Sequence, residues 1–177
     1  MGNEILLMDG VRYVLSKPLD EAALAEIVGK HAEDIFGHDC LYFGDLKTRI
    51  KSPAGVGSIP DGWAVLLGVP LQAYPVEIEL ASHDVYGHIS PQVDKMSAAL
   101  QNPATQQQVT SAIYDEITKK DALLNVRAKD KIAGHDLYKL LLDAVSKQPQ
   151  QLVIVIDSAS VQLRECAANK SIPPKIV

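Results

Sequence analysis

The chain reads as α/β, a mixed central sheet flanked by helices, and three observations carry that reading. Residues 20–36 place apolar side chains at the spacing of a helix face. Residues 40–80 divide into runs of strand character separated by Pro- and Gly-rich turns, which predicts a three-strand meander. Residues 152–156 are an unbroken apolar run, the pattern of a strand buried on both faces, so at least one further strand joins the meander. Strands and helices in this order make an α/β domain.

Taken in order, residues 11–15 alternate weakly and predict a short leading strand. In Asp20 to Phe36, Leu24, Ile27, Val28, Ala32, Ile35 and Phe36 recur at spacings of three and four, and Gly37 ends the run. Cys40 to Ile50 reads as one long strand, residues 52–57 as a turn, Ser58 to Leu67 as the second strand and Gln72 to Leu80 as the third. The period then changes to that of helices. Ile89, Val93, Met96 and Leu100 share one face of a helix within residues 85–100, whose start is Val85 or the Ser90-Pro91 pair. Residues 104–120 form a helix with Val109, Ala112, Ile113 and Ile117 inward, and residues 135–146 form another. After the strand at 152–156, Ser158 or Ser160 caps a last helix reaching Ala168.

The 177 residues are expected to make a single domain, 1–177, with its core over about 20–160. No apolar run approaches the roughly 18 residues that span a bilayer. The first residues lack the basic region of a signal peptide and a Ser or Thr for myristoylation, and Cys40 and Cys166 stand alone. A cytoplasmic protein with free thiols and no membrane association is therefore expected. The net charge of −5 argues against a general nucleic-acid coating protein. It leaves room for a nuclease whose acidic metal site lies beside a local basic track. Lys47, Arg49 and Lys51 alternate and would share one strand face as such a track, or as a solvated face.

The chemistry is concentrated in Ile59-Pro60-Asp61 and in Val76-Glu77-Ile78-Glu79-Leu80. Adjacent strands can gather these three carboxylates, and crowded like charges raise one another's pKa at a cost in free energy. A divalent cation is the usual reason to tolerate them; solvated edge-strand acids are the alternative. Glu77 and Glu79 share one strand face, and in a central strand a covered face demands a partner for each charge.

Together these residues resemble the PD-(D/E)XK nuclease superfamily, the restriction-endonuclease-like fold. Pro60-Asp61 is similar to the "PD" that opens the second core strand, and Glu77-Ile78-Glu79 to the "(D/E)XK" of the third, with glutamate in place of lysine. Gln92 on the following helix resembles a glutamine that many members carry, and the likeness spans about residues 20–160. It implies a Mg²⁺- (or Mn²⁺-) dependent deoxyribonuclease in which Asp61 and one or both of Glu77 and Glu79 hold the metal, with Gln92 in the catalytic set. DNA is the implied partner, and a homodimer stays open. Two registers compete. Either Glu77 is the acid and Glu79 takes the lysine position, or Glu79 is the acid and Ala81 takes it. Lys47, on the strand expected beside that of Asp61, is the candidate replacement cation. The first helix offers Glu26 or Glu33 as a further acid. His83 and Asp84 lie near enough to Glu79 to touch a phosphate or metal-bound water, while His88 and Gln92 share a helix face. Asp157 reads as a helix cap. No nucleotide cofactor is implied, because Gly55-Val56-Gly57 lacks the rest of a phosphate-binding loop. The missing lysine also suits a second reading, an inert nuclease-fold module that binds nucleic acid or protein within a larger assembly.

Overall fold

A computed structural model describes residues 5–8, 11–14, 18–120, 122–132, 134–146 and 151–177. The strands β1 (Ile5–Met8) and β2 (Val11–Val14) pair with each other as an antiparallel hairpin, so the leading strand has a partner. Leu15, the last residue of the expected strand, lies outside the described residues. Next come α1 (Glu21–Lys30) and α2 (Ala32–Phe36) where one helix was expected. The Asp20 carboxylate accepts the Ala23 N–H at 2.8 Å and caps α1. The helix breaks at His31, whose φ of −114° is not helical. Leu24, Val28 and Ala32 are buried as their spacing predicts, whereas Ile27 is 45% exposed.

The meander is real but its first strand is short. β3 (Cys40–Phe43) pairs antiparallel with β6 (Gly62–Leu66), and β6 pairs antiparallel with β7 (Gln72–Glu79). Between β3 and β6 the chain leaves the sheet, forming a separate two-stranded ribbon of β4 (Ile50–Lys51) and β5 (Gly57–Ser58) around the predicted turn. The long strand expected over residues 40–50 is therefore two strands and a loop. Leu46 and Ile50 are buried in the core, so an irregular segment with apolar anchors imitated strand alternation. Lys47 and Arg49 sit in that loop and Lys51 on β4, so the trio shares no strand face.

Beyond β7, a single π-helical turn (Val85–Ile89) leads into α3 (Ser90–Leu100), so both expected starts mark a real change of backbone. Then follow α4 (Pro103–Asp115), which runs into a second π-helical turn (Glu116–Lys120), α5 (Ala122–Lys131), which the sequence pattern had not revealed, and α6 (Leu137–Ser146). The strand β8 (Val153–Ile156), helix α7 (Val161–Ala168) and strand β9 (Lys175–Ile176) complete the chain. Ser160 is the cap of α7, its hydroxyl accepting the Leu163 N–H at 3.1 Å. Asp157 does different work: its carboxylate accepts the Ala81 N–H at 2.7 Å and ties the exits of β8 and β7 together.

The main sheet has five strands in the order β3-β6-β7-β8-β9, with β8 parallel to both neighbours, so it is mixed and β7 is central. Its two faces carry two apolar clusters. Val76, Ile78, Val153 and Val155 pack against Leu24 and Val28 of α1, while Ala73 and Ile154 pack with Val93, Met96, Val109, Ile113 and Leu141 from α3, α4 and α6. Helices therefore cover both faces, and β8 is buried between β7 and β9, as an apolar run requires. Among the described residues no helix is long and apolar enough to cross a membrane.

Candidate metal centre

Three stretches of chain meet where β6 begins and β7 ends. In the antiparallel register Gly62 faces Val76, so Asp61, one step beyond the ladder, stands opposite Glu77. Residues directly opposite on neighbouring strands bring their Cβ atoms to about 5 Å. The paired sequence motifs thus become neighbours through strand pairing alone. Where the ladder stops, Asp61 Oδ2 accepts the Ile78 N–H at 2.9 Å, and this bond fixes its carboxylate against β7.

Glu77 and Glu79 point to the face covered by α3 and are 5% and 1% exposed. Burial, followed by the adjacent Asp61 and Glu79 charges, pushes the Glu77 carboxyl up to about 9, and a hydrogen bond to Asp61 favours the protonated form further. Among the described residues Glu77 Oε1 is buried without a hydrogen-bond partner, as is Oε1 of Gln92. An apolar residue would fill the Glu77 position at no such cost.

Glu79 is held differently. Nδ1 of His83 lies 2.6 Å from Glu79 Oε2, Nε2 of His88 lies 3.6 Å from the same oxygen, and Oε1 of Glu21 lies 3.3 Å from His83 Nδ1. The rings of His83 and His88 meet edge to face, with centroids 5.2 Å apart. One donor atom from each of Glu21, Glu79, His83 and His88 falls within 4.8 Å of the others, so this cluster could hold a metal ion. His88 stands on the π-helical turn Val85–Ile89 that leads into α3. Asp84 caps that turn: its carboxylate accepts the Tyr86 N–H at 2.9 Å, and hydrogen bonds from Gly87 and Tyr86 hold its pKa below the ordinary value.

These groups line a cleft of about 500 Å³ with Asp61, Ile59, Ser82 and Gln92. A neighbouring cavity of about 640 Å³ shares Glu21, Asp61 and Ile78 and continues past Tyr42, Asp45 and Lys47. Lys47 borders this second cavity, where its Nζ donates to the backbone oxygen of Asp61 at 3.3 Å. Neither helix acid singled out in the sequence joins the cluster. Glu26 borders the larger cavity but pairs with Lys30 at 2.6 Å, and Glu33 pairs with Arg127 at 2.8 Å. The helix acid at the site is Glu21. Its only local signal was a place in the first turn after a capping Asp20, which suits the helix dipole anywhere.

Comparisons with protein-family models, with curated proteins and with solved structures return no match to this chain.

Proposed function

We propose that this protein is a metal-dependent nuclease of the PD-(D/E)XK type that hydrolyses DNA phosphodiester bonds. One observation carries the proposal: Asp61 and Glu77 are cross-strand neighbours on a cleft, and Glu77 keeps a buried oxygen without a partner. A cation bound by both carboxylates would satisfy that oxygen and offset the burial and the neighbouring Asp61 and Glu79 charges that keep Glu77 protonated. The donors are hard oxygens, so they fit Mg²⁺ or Mn²⁺. When bound, such an ion supplies charge neutralisation and a more acidic water.

The chain's own groups divide the remaining tasks. Asp61, pinned to Ile78 N–H, sets the place of the ligands. Gln92 lines the cleft and holds a buried side-chain oxygen that no described residue satisfies. Lys47 is the nearby cation available to a phosphate entering from the larger cavity. The pairing of Asp61 with Glu77 favours the register in which Glu77 is the acid and Glu79 stands at the lysine position.

Purified protein should cut DNA with Mg²⁺ or Mn²⁺, and Asp61→Ala should lower the rate by about 10²-fold or more, as loss of one transition-state stabiliser does. Cleavage by Asp61→Ala at the parental rate would assign the activity elsewhere. Absence of cleavage of single- and double-stranded DNA would favour the second reading, a binding module without activity. That reading has its own supporting observation: among the described residues, no lysine or arginine borders the cleft that holds Asp61, Glu77 and Glu79.

A further inference from the structure

Two chemically different donor sets share the cleft. Asp61 and Glu77 offer oxygen alone, whereas Glu21, Glu79, His83 and His88 offer two carboxylates and two imidazoles. We infer that the second set is a separate cation site, selective for a borderline transition-metal ion such as Zn²⁺ or Co²⁺ over Mg²⁺.

The geometry supports the inference at each residue. Glu79 is 1% exposed, and two imidazole nitrogens from different turns of the chain converge on the same one of its oxygens. His83 Nδ1 lies between two carboxylates, 2.6 Å from Glu79 and 3.3 Å from Glu21, yet one N–H can serve only one of them well. A metal ion accepts all four donors at once. Four donors placed tetrahedrally at about 2.0–2.2 Å from an ion stand about 3.3–3.6 Å apart, so the widest pairs of this set must draw together by about 1 Å. Glu77, on the next inward-facing position of β7, lines the same cleft but belongs to the oxygen pair with Asp61 and supplies no donor to this set. The donor types then decide the metal. Imidazole nitrogen suits Zn²⁺, Fe²⁺ and Co²⁺, while Mg²⁺ prefers an all-oxygen shell and retains several waters. Assigning Glu79 to this site leaves Asp61 and Glu77 as the oxygen pair.

The inference does not require that the protein cut DNA, and cobalt separates the two claims. Chelator-stripped full chain titrated with Co²⁺ should develop a visible absorption band at a stoichiometry of one, and excess Mg²⁺ should leave the band in place. His83→Ala and His88→Ala should each weaken binding by at least about tenfold. These side chains are 27% and 47% exposed, so the fold should survive both changes, which circular dichroism would verify. Asp61→Asn should keep the band even though it removes the proposed nuclease ligand. Only the spectrum of the aqueous ion, a band that persists in the double histidine variant, or displacement of Co²⁺ by equimolar Mg²⁺ would each overturn the site. Failure of cleavage with the band intact would sink the nuclease reading alone.

Discussion

At the scale of single residues, Glu77 is the group whose environment most opposes its charge. Its carboxyl titrates near 9 in the folded chain, against an ordinary value of 4.5, because burial and then Asp61 and Glu79 disfavour the anion. The folded state therefore holds a proton that the unfolded state has released. Stability is full below about 4.5, falls as pH rises, and levels off above about 9. Glu77→Gln mimics the protonated form at every pH. It should stabilise the cation-free protein at pH 7.5 by up to about 4 kcal/mol and flatten the fall of stability with pH. Urea denaturation of both proteins between pH 5 and 9 measures this, and parallel curves would mean that Glu77 is already ionised at neutrality. Cys40 is affected in the same direction, its thiol pushed up to about 12 by burial.

At the scale of elements, the larger cavity beside the cleft is bounded by Tyr42 of β3, close to the start of β6. Tyr42 packs on Phe36, with ring centroids 5.6 Å apart, and its ring crosses over Gly62, the residue after Asp61. A Cβ on Gly62 would meet the Tyr42 hydroxyl oxygen at 2.5 Å and ring carbons at 2.8 Å. The glycine is thus needed for lack of space. Gly62→Ala should cost about 1–3 kcal/mol and shift Asp61 from its bond to Ile78. Thermal unfolding tests the first effect, and unchanged stability would mean that the ring moves aside freely. The same scale explains where the sequence pattern misled. Alternation over residues 40–50 came from Leu46 and Ile50 anchoring a loop in the core, and Gly44-Asp45 was the overlooked stop. β9 has only two residues, too few to show any period, and finds its place by pairing with β8.

For the whole molecule, the cleft links separate parts of the fold, so a cation bound there should stabilise the chain as a unit. A ligand of the native state alone adds about 2.7 kcal/mol at a hundred times its dissociation constant. Mg²⁺ or Mn²⁺ should accordingly raise the melting temperature in proportion to the logarithm of concentration, and Asp61→Ala should abolish the Mg²⁺-dependent rise. Equal rises in both proteins would point to nonspecific screening of the net charge of −5.

The sequence by itself determined the α/β class, the helical faces of α3 and α4, the buried strand β8 and the pairing of two glutamates on one strand face. Each is a local property, since side-chain period reports which face of an element meets the core. It also singled out Asp61 and Glu77, although strand register was needed to set one opposite the other. Tertiary structure alone decided that Glu21, rather than Glu26 or Glu33, reaches the site. It alone brought His83 and His88 to one oxygen of Glu79 and turned Asp157 from a helix cap into a tie to Ala81. Those choices depend on how α1 lies on β7 and on the π-helical turn that carries His88, and neither leaves a period in the sequence.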